Sequence, residues 1–307
     1  MATAMLRGIL PAIVTPFRDD ELIDYNAWQK LIERLIASGV HGLFVLGGQG
    51  EFYALNEEER MVATRFCVQT VARRVPVVAN VGAITTGESV RLAQQAEQDG
   101  VDFIAAVTPY FIRPSEDELV EHYSEICRSV RLPVVAYNIP QRTGVELTPS
   151  LVRRIAEANP NFVGLKDSGG RLEWIPEFKR AGVTVLMGQD TLILDGLRMG
   201  CSGAITACAN LVPRLFIEIY NAFQAGNISE AARFEALVEP LDQAFSLATF
   251  PALIKEAMNM AGLPAGRCRR PVGPMSGTAL SQLAGVLDKL REAGYLEMRP
   301  LSYRMNQ

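Results

Sequence analysis

Four short stretches of this chain carry residues whose types and spacing could do chemistry. Lys166 follows Val163-Gly164-Leu165 inside an otherwise apolar run. Burial disfavours an ammonium and lowers its pKa, which leaves a neutral amine able to attack a carbonyl. The same position also suits a structural ion pair with Asp167 or Glu51. Tyr137 closes another apolar run, Pro133–Ile139. Beside a nucleophilic lysine its phenol could shuttle protons in imine chemistry; alone it would be packing. Gly47–Glu51 (GGQGE) holds three glycines, whose backbone N–H groups could hold a small anion such as a carboxylate. It is not a Walker loop, because no Gly-Lys-Ser/Thr follows. Arg142 could clamp a second carboxylate by a bidentate contact, or lie on the surface.

These residues need a scaffold, and the pattern of the chain supplies one. Apolar, β-branched runs at Ile9–Phe17, Gly42–Gly47, Val75–Val81, Phe103–Tyr110, Pro133–Ile139, Phe162–Asp167, Val183–Gly188 and Ala204–Ala209 read as strands. Stretches with helical spacing alternate with them: Tyr25–Ser38, Glu57–Ala72, Thr86–Asp99, Ser115–Ser129, Thr148–Ala158, Leu172–Ala181, Leu192–Met199 and Pro213–Gln224. Gly39 and Gly100 follow helices as C-terminal stops, and Asn56 precedes one as an N-cap. Eight β-α units with strands apolar on both faces predict a parallel sheet covered by helices, closed as a (β/α)8 TIM barrel over residues 1–225. The alternative, a doubly wound open sheet, would carry a Gly-rich turn after strand one, where this chain has Thr15-Pro16-Phe17. Residues 226–307 predict a helical appendage packed on the barrel, with helices at Ser229–Leu247, Pro251–Ala261 and Thr278–Ala293. The active face of such a barrel lies at the C-terminal ends of its strands. Those ends carry Gly47–Glu51, Thr108–Phe111, Tyr137-Asn138, Lys166-Asp167-Ser168, Gly188-Gln189-Asp190 and Thr206.

Composition narrows the function class. The 307 residues are 49% hydrophobic and 21% charged, which excludes a disordered chain. A net charge of -4 without a basic run offers nucleic acid no footprint. Two histidines, His41 and His122, remove histidine-rich metal sites, so no metal site is expected. Five cysteines at scattered spacing, with no CxxC, read as buried thiols in a reducing cytoplasm. The N-terminal Met1–Arg7 lacks a targeting pattern, and no run approaches the roughly 18 apolar residues of a membrane span.

In order and spacing, GGQGEFYAL (47–55), TPYFIRPS (108–115), YNIPQRTG (137–144) and GLKDSGG (164–170) resemble the dihydrodipicolinate synthase / N-acetylneuraminate lyase family. The resemblance runs over nearly the whole chain. It implies a barrel whose strand-six lysine forms an imine with pyruvate or another 2-keto acid, with no metal or organic cofactor. By position, Lys166 matches the Schiff-base lysine and Tyr137 the tyrosine that moves protons at the reacting centre. Gly48 and Gln49 match the pair whose amides hold the keto-acid carboxylate. Ile205 matches a strand-eight residue whose backbone faces the keto acid. Arg142 matches the arginine that binds a second substrate's carboxylate in the synthase branch. Ser168 and Asp190 resemble residues of the aldolase and neuraminate lyase branches. Tyr110 and Phe111 fall where the family builds a dimer interface near the site, within a homotetramer. Phe111 would then pack into a neighbour's site as an aromatic plug.

The chain also departs from the synthase pattern. Gly48 and Gln49 stand where two threonines are usual, and Phe111 where a second tyrosine is usual. Of the family's hydroxyl proton relay only Tyr137 remains. A glycine and a phenylalanine cannot pass a proton. The expectation is therefore a Schiff-base aldolase or lyase that makes or breaks a C–C bond, or eliminates water, with pyruvate as product or substrate. The alternatives are a 4-hydroxy-tetrahydrodipicolinate synthase, condensing pyruvate with aspartate semialdehyde, and a keto-acid-binding barrel without turnover.

Overall fold

A computed structural model describes residues 6–297. Residues 1–5, and the last ten residues of the predicted appendage, 298–307, lie outside the described part. The chain alternates strand and helix as the apolar pattern demands. In order come β1 (Gly8–Pro11), α1 (Tyr25–Ala37), β2 (Leu43–Val45), α2 (Glu57–Val71), β3 (Val77–Asn80), α3 (Thr86–Asp99), β4 (Phe103–Val107) and α4 (Glu116–Ser129). There follow β5 (Val134–Asn138), α5 (Pro140–Thr143), α6 (Pro149–Ala158), β6 (Phe162–Asp167), α7 (Ile175–Arg180), β7 (Thr184–Met187), α8 (Ile193–Met199), β8 (Gly203–Thr206) and α9 (Pro213–Gln224).

The eight strands pair in parallel in the order β1-β8-β7-β6-β5-β4-β3-β2. The remaining seam, β1 to β2, is joined by a parallel bridge between Ala12 and Phe44, with the Ile13 N–H donating to the Phe44 carbonyl at 3.0 Å. The sheet is thus the predicted (β/α)8 barrel. Nearly every strand residue is buried, as expected of strands covered on both faces. Helices bury one stripe each. In α1 that stripe is Trp28, Leu31, Ile32 and Leu35, each worth about 1.5–3 kcal/mol relative to exposure. Asn56 caps α2 in a reciprocal capping box with Glu59, a type of cap worth about 1 kcal/mol.

Several predicted elements need correction. The strand read to Tyr110 ends at Val107, the one read to Ala209 ends at Thr206 before a 3₁₀ turn at Cys208–Asn210, and the helix read over Leu172–Ala181 opens as a 3₁₀ turn at Leu172–Trp174. The strand read over Ile9–Phe17 ends at Pro11. Ala12 and Ile13 still bond to the neighbouring strands, and past them the backbone leaves the ladder: the Val14 N–H donates to the Asn210 side chain, and Phe17 bridges Ile23 and Gly266. The helix read over Ser229–Leu247 breaks into α10 (Ile228–Glu235), α11 (Glu239–Gln243) and a 3₁₀ turn at Ala244–Leu247. Pro240 explains the break, because it has no N–H to donate and its ring would strike the carbonyl four residues back. The last helices, α12 (Ala252–Met260) and α13 (Gly277–Glu292), follow the prediction within a residue or two.

The appendage is tied to the barrel by a buried ion pair. The Lys255 Nζ of α12 lies 2.5 Å from Glu51 Oε1, and both side chains are 1% exposed. Lys255 also donates to the Arg267 carbonyl at 3.0 Å, while the other Glu51 oxygen accepts the Arg269 N–H at 3.0 Å. Glu51 ends the Gly47–Glu51 loop in a left-handed conformation, φ 54°. Such a conformation costs a non-glycine residue about 1 kcal/mol or more, so the contacts of its side chain help to hold it there. Removing one partner of a buried pair strands the other charge, at about 3–5 kcal/mol, whereas neutralising both is far milder. Lys255→Met should therefore lower unfolding free energy by about 3 kcal/mol, and adding Glu51→Gln should restore most of it. Chemical denaturation of the two variants checks this. A single variant as stable as the parent would mean that the pair does not hold the fold.

Candidate active site

Adjacent strands bring the two chemical residues together. Tyr137 on β5 and Lys166 on β6 are directly paired in the sheet. Lys166 is 3% exposed. Its Nζ sits 3.9 Å from the Tyr137 ring centroid and 4.4 Å from that of Phe44. Burial pushes this amine down to about 7 from an ordinary 10.5, with the Asp190 charge opposing the fall. The ion pairs that could have explained the lysine are not made. The Asp167 carboxylate accepts from the Asn138 amide at 2.8 Å and the Gly169 N–H at 3.0 Å. Glu51 is taken by Lys255. Among the described residues no carboxylate forms a salt bridge with Lys166.

Tyr137 is buried, which raises its pKa well above the usual phenol value, and the neighbouring Ser168 hydroxyl counters part of that rise. The phenol therefore keeps its proton at neutral pH. Ser168 donates to the Gly188 carbonyl at 3.2 Å, which leaves its oxygen able to accept from Tyr137. Gly188 makes room for this arrangement, since a Cβ there would fall 2.1 Å from the Ser168 Oγ.

A cavity of about 380 Å3 opens above Lys166 at the C-terminal end of the barrel. Gly48, Gln49, Tyr137, Arg142, Lys166, Ser168, Asp190 and Ile205 all line it, so the structure gathers the predicted catalytic and substrate-binding residues in one place. Among the described residues the Gly48 and Gln49 N–H groups have no acceptor in the protein. The loop carrying them is held from below: the Asn80 amide donates to the Leu46 carbonyl at 2.8 Å, and the Thr15 hydroxyl to the Gly50 carbonyl at 2.7 Å. Asp190 lines the cavity but turns its oxygens to the turn after β8, accepting from the Ala207 and Cys208 N–H groups at 3.2 and 2.6 Å. Burial, the largest influence, raises its pKa, and these bonds counter the rise. Arg142 sits on α5, a short helix absent from the sequence reading, with its guanidinium carbon 4.0 Å from the Phe250 ring centroid.

Tyr110 and Phe111 stand outside the cavity above Lys166. Tyr110 packs edge-on against Phe52 at 5.7 Å and lines a smaller recess of about 180 Å3 beside Tyr137. Phe111 is 94% exposed, with a left-handed backbone at φ 73°. The appendage also takes part in the site, which no sequence motif announces. Asp242, Phe245, Ala248 and Phe250 form its outer wall, and Gln141 and Gln189 add amides to the rim. Lys255 gave a signal of the kind that singled out Lys166, a lysine within an apolar run (ALIKEAM).

Comparison with known proteins agrees with this geometry. The profile of the Dihydrodipicolinate synthetase family matches residues 5–290. The 4-hydroxy-tetrahydrodipicolinate synthase of Methanothrix thermoacetophila is 37% identical over 292 residues, covering 94% of this chain and 98% of that protein. The Escherichia coli K12 protein YagE, whose name provisionally assigns it 2-dehydro-3-deoxy-D-gluconate aldolase activity, is 35% identical, with 94% and 98% covered. The crystal structure of YagE in complex with pyruvate superposes with a TM-score of 0.90, at 34% identity, covering 94% of this chain and 99% of that one. A barrel with a buried, unpaired strand-six lysine beside a tyrosine, matched along nearly its whole length by these relatives, belongs to the dihydrodipicolinate synthetase family of Schiff-base lyases and aldolases.

Proposed function

We propose that this protein is a class I aldolase or lyase that takes a 2-keto acid with pyruvate as product or substrate, Lys166 acting as nucleophile. The observation that carries the reading is the buried Lys166 amine without a carboxylate partner, its pKa near 7, next to a protonated tyrosine. The keto-acid carboxylate rests on the Gly48 and Gln49 amides, with the Ile205 backbone facing it. Lys166 adds to the ketone carbon, the carbinolamine loses water, and an iminium forms. In the cleavage direction the C3–C4 bond breaks, its electron pair moves toward the iminium nitrogen, and the C4 hydroxyl loses its proton as the aldehyde leaves. The resulting enamine takes a proton at C3, and water hydrolyses the imine to free pyruvate. Tyr137, backed by Ser168, moves these protons. Asp190 fixes the turn after β8 and so the placement of Ile205. The lysine imine is itself the electron sink, so this route draws on no metal or organic cofactor.

The aldolase or lyase reading is favoured over the synthase by the hydroxyls near Tyr137. Gly48 and Phe111 supply none, whereas Ser168 faces the phenol. Arg142 supports the synthase reading, since it stands at the cavity mouth free of any salt bridge among the described residues, suited to a distal carboxylate. Five cysteines without a disulfide fit a reducing compartment, the cytoplasm. Phe111 suits a second copy of the chain. A phenylalanine 94% exposed at φ 73° is costly alone, and the recess beside Tyr137 is apolar and lined by Tyr110 and Phe52. Seating Phe111 from a neighbour there gives a tight dimer, two of which form a homotetramer. Sedimentation of the wild type should then exceed the monomer mass, and Phe111→Asp should shift it toward monomer; a wild-type monomer at micromolar concentration would remove this part of the reading.

Borohydride reduction in the presence of pyruvate should fix an adduct on Lys166, located by peptide mass spectrometry. Lys166→Ala should give none, and Tyr137→Phe should slow turnover about a hundredfold or more. An adduct elsewhere, or none in the wild type, would overturn the mechanism. The pH dependence has a defined sign. Attack needs the neutral amine, so the rate of imine formation should climb with pH and level off above an inflection at about 7. A lysine at its ordinary 10.5 would instead keep climbing through about pH 9. Stopped-flow measurement of pyruvate imine formation separates the two.

A further inference from the structure

Gly48 and Phe250 compete for one volume. A Cβ built on Gly48 would lie 3.0 Å from the Phe250 Cζ, 3.4 Å from its Cε1 and 3.7 Å from the Tyr137 hydroxyl. Any further side-chain atoms at position 48 would need the space that the Phe250 ring fills. The ring is partly buried, belongs to both the main cavity and the recess beside Tyr137, and stacks under the Arg142 guanidinium at 4.0 Å. It therefore does three things at once: it fills the place of a side chain at position 48, lines both the main cavity and the recess, and stacks on the Arg142 guanidinium.

We propose that Phe250, supplied by the helical appendage, is a specificity-determining residue that limits the aldehyde half of the substrate to short chains, and that it and Gly48 form one steric unit. This rests on the imine reading above, and the test keeps the two apart. Keto-acid binding uses the Gly48 and Gln49 amides and Lys166 on the inner side. The aldehyde carbon must approach the enamine from the open side, where Phe250 and Arg142 stand. In the condensing direction the enamine C3 bonds to the aldehyde carbon, the aldehyde oxygen gains a proton, and hydrolysis returns the lysine. Only the aldehyde's substituent meets the Phe250 ring.

The test has two parts, both on the full chain. First, pyruvate is incubated with glyceraldehyde or benzaldehyde, and adduct formation is followed by chromatography for the wild type and Phe250→Ala. The benzaldehyde-to-glyceraldehyde rate ratio should rise about tenfold or more in the variant, the scale of pocket-shape discrimination. Second, borohydride trapping with pyruvate is titrated for Gly48→Thr and for Gly48→Thr with Phe250→Ala. The single variant should need at least about tenfold more pyruvate for half-trapping, and the double should regain most of that loss. The proposal is overturned by an unchanged aldehyde range in Phe250→Ala (no aldehyde accepted by either enzyme included), by loss of pyruvate trapping in that variant, or by a Gly48→Thr defect that Phe250→Ala does not relieve. Failure of the wild type to trap pyruvate would instead sink the imine reading itself.

Discussion

The molecule is organised around one electrostatic constraint: a buried amine must stay unpaired. A buried lysine normally finds a carboxylate, and three stand within reach of this site by sequence or by space. Each is held elsewhere. Asp167, the next residue along the strand, is turned to Asn138 and the Gly169 N–H. Glu51, at the end of the glycine loop, is held by Lys255 and the Arg269 N–H. Asp190 is spent on the turn after β8. What faces Lys166 instead is two aromatic rings. A carboxylate partner would restore the ammonium, so these diversions leave the Lys166 amine free for the imine chemistry proposed above.

The same contacts make the helical appendage part of the barrel's working face. Lys255 and Phe250 lie five residues apart on either side of the start of α12. One reaches under the glycine loop and neutralises the carboxylate that ends it; the other closes the space above that loop. The Gly47–Glu51 loop is therefore clasped by two residues that lie some two hundred positions further along the chain. A barrel cut off at α9 would keep Lys166 and Tyr137 but lose the partner of Glu51 and the outer wall of the cavity.

What was legible in the sequence follows from what is local. Lys166 was legible because a charged residue in a fully apolar strand breaks the period that the strand itself sets. The barrel was legible because eight repeats of one pattern leave few topologies. The break of the helix at Pro240 was also written in the chain but was overridden by the apolar periodicity around it. The place of Phe250 was not legible at all. Its meaning lies in the missing side chain of Gly48 and the cation of Arg142, and nothing in the local pattern of the three segments ties them together. The fates of the three carboxylates were hidden for the same reason, because each partner comes from another turn of the fold.

A lysine whose pKa burial brings down to about 7 has a consequence beyond the proposed reaction. Ordinary lysines spend almost all their time as ammonium ions and are protected from electrophiles by that proton. Lys166 has less of that protection, and the cavity above it takes over part of the shielding. Small reactive carbonyls that fit the cavity would meet an amine that is only 3% exposed, between the Phe44 and Tyr137 rings. The walls of this cavity would thus have a second effect, deciding which electrophiles reach the Lys166 amine.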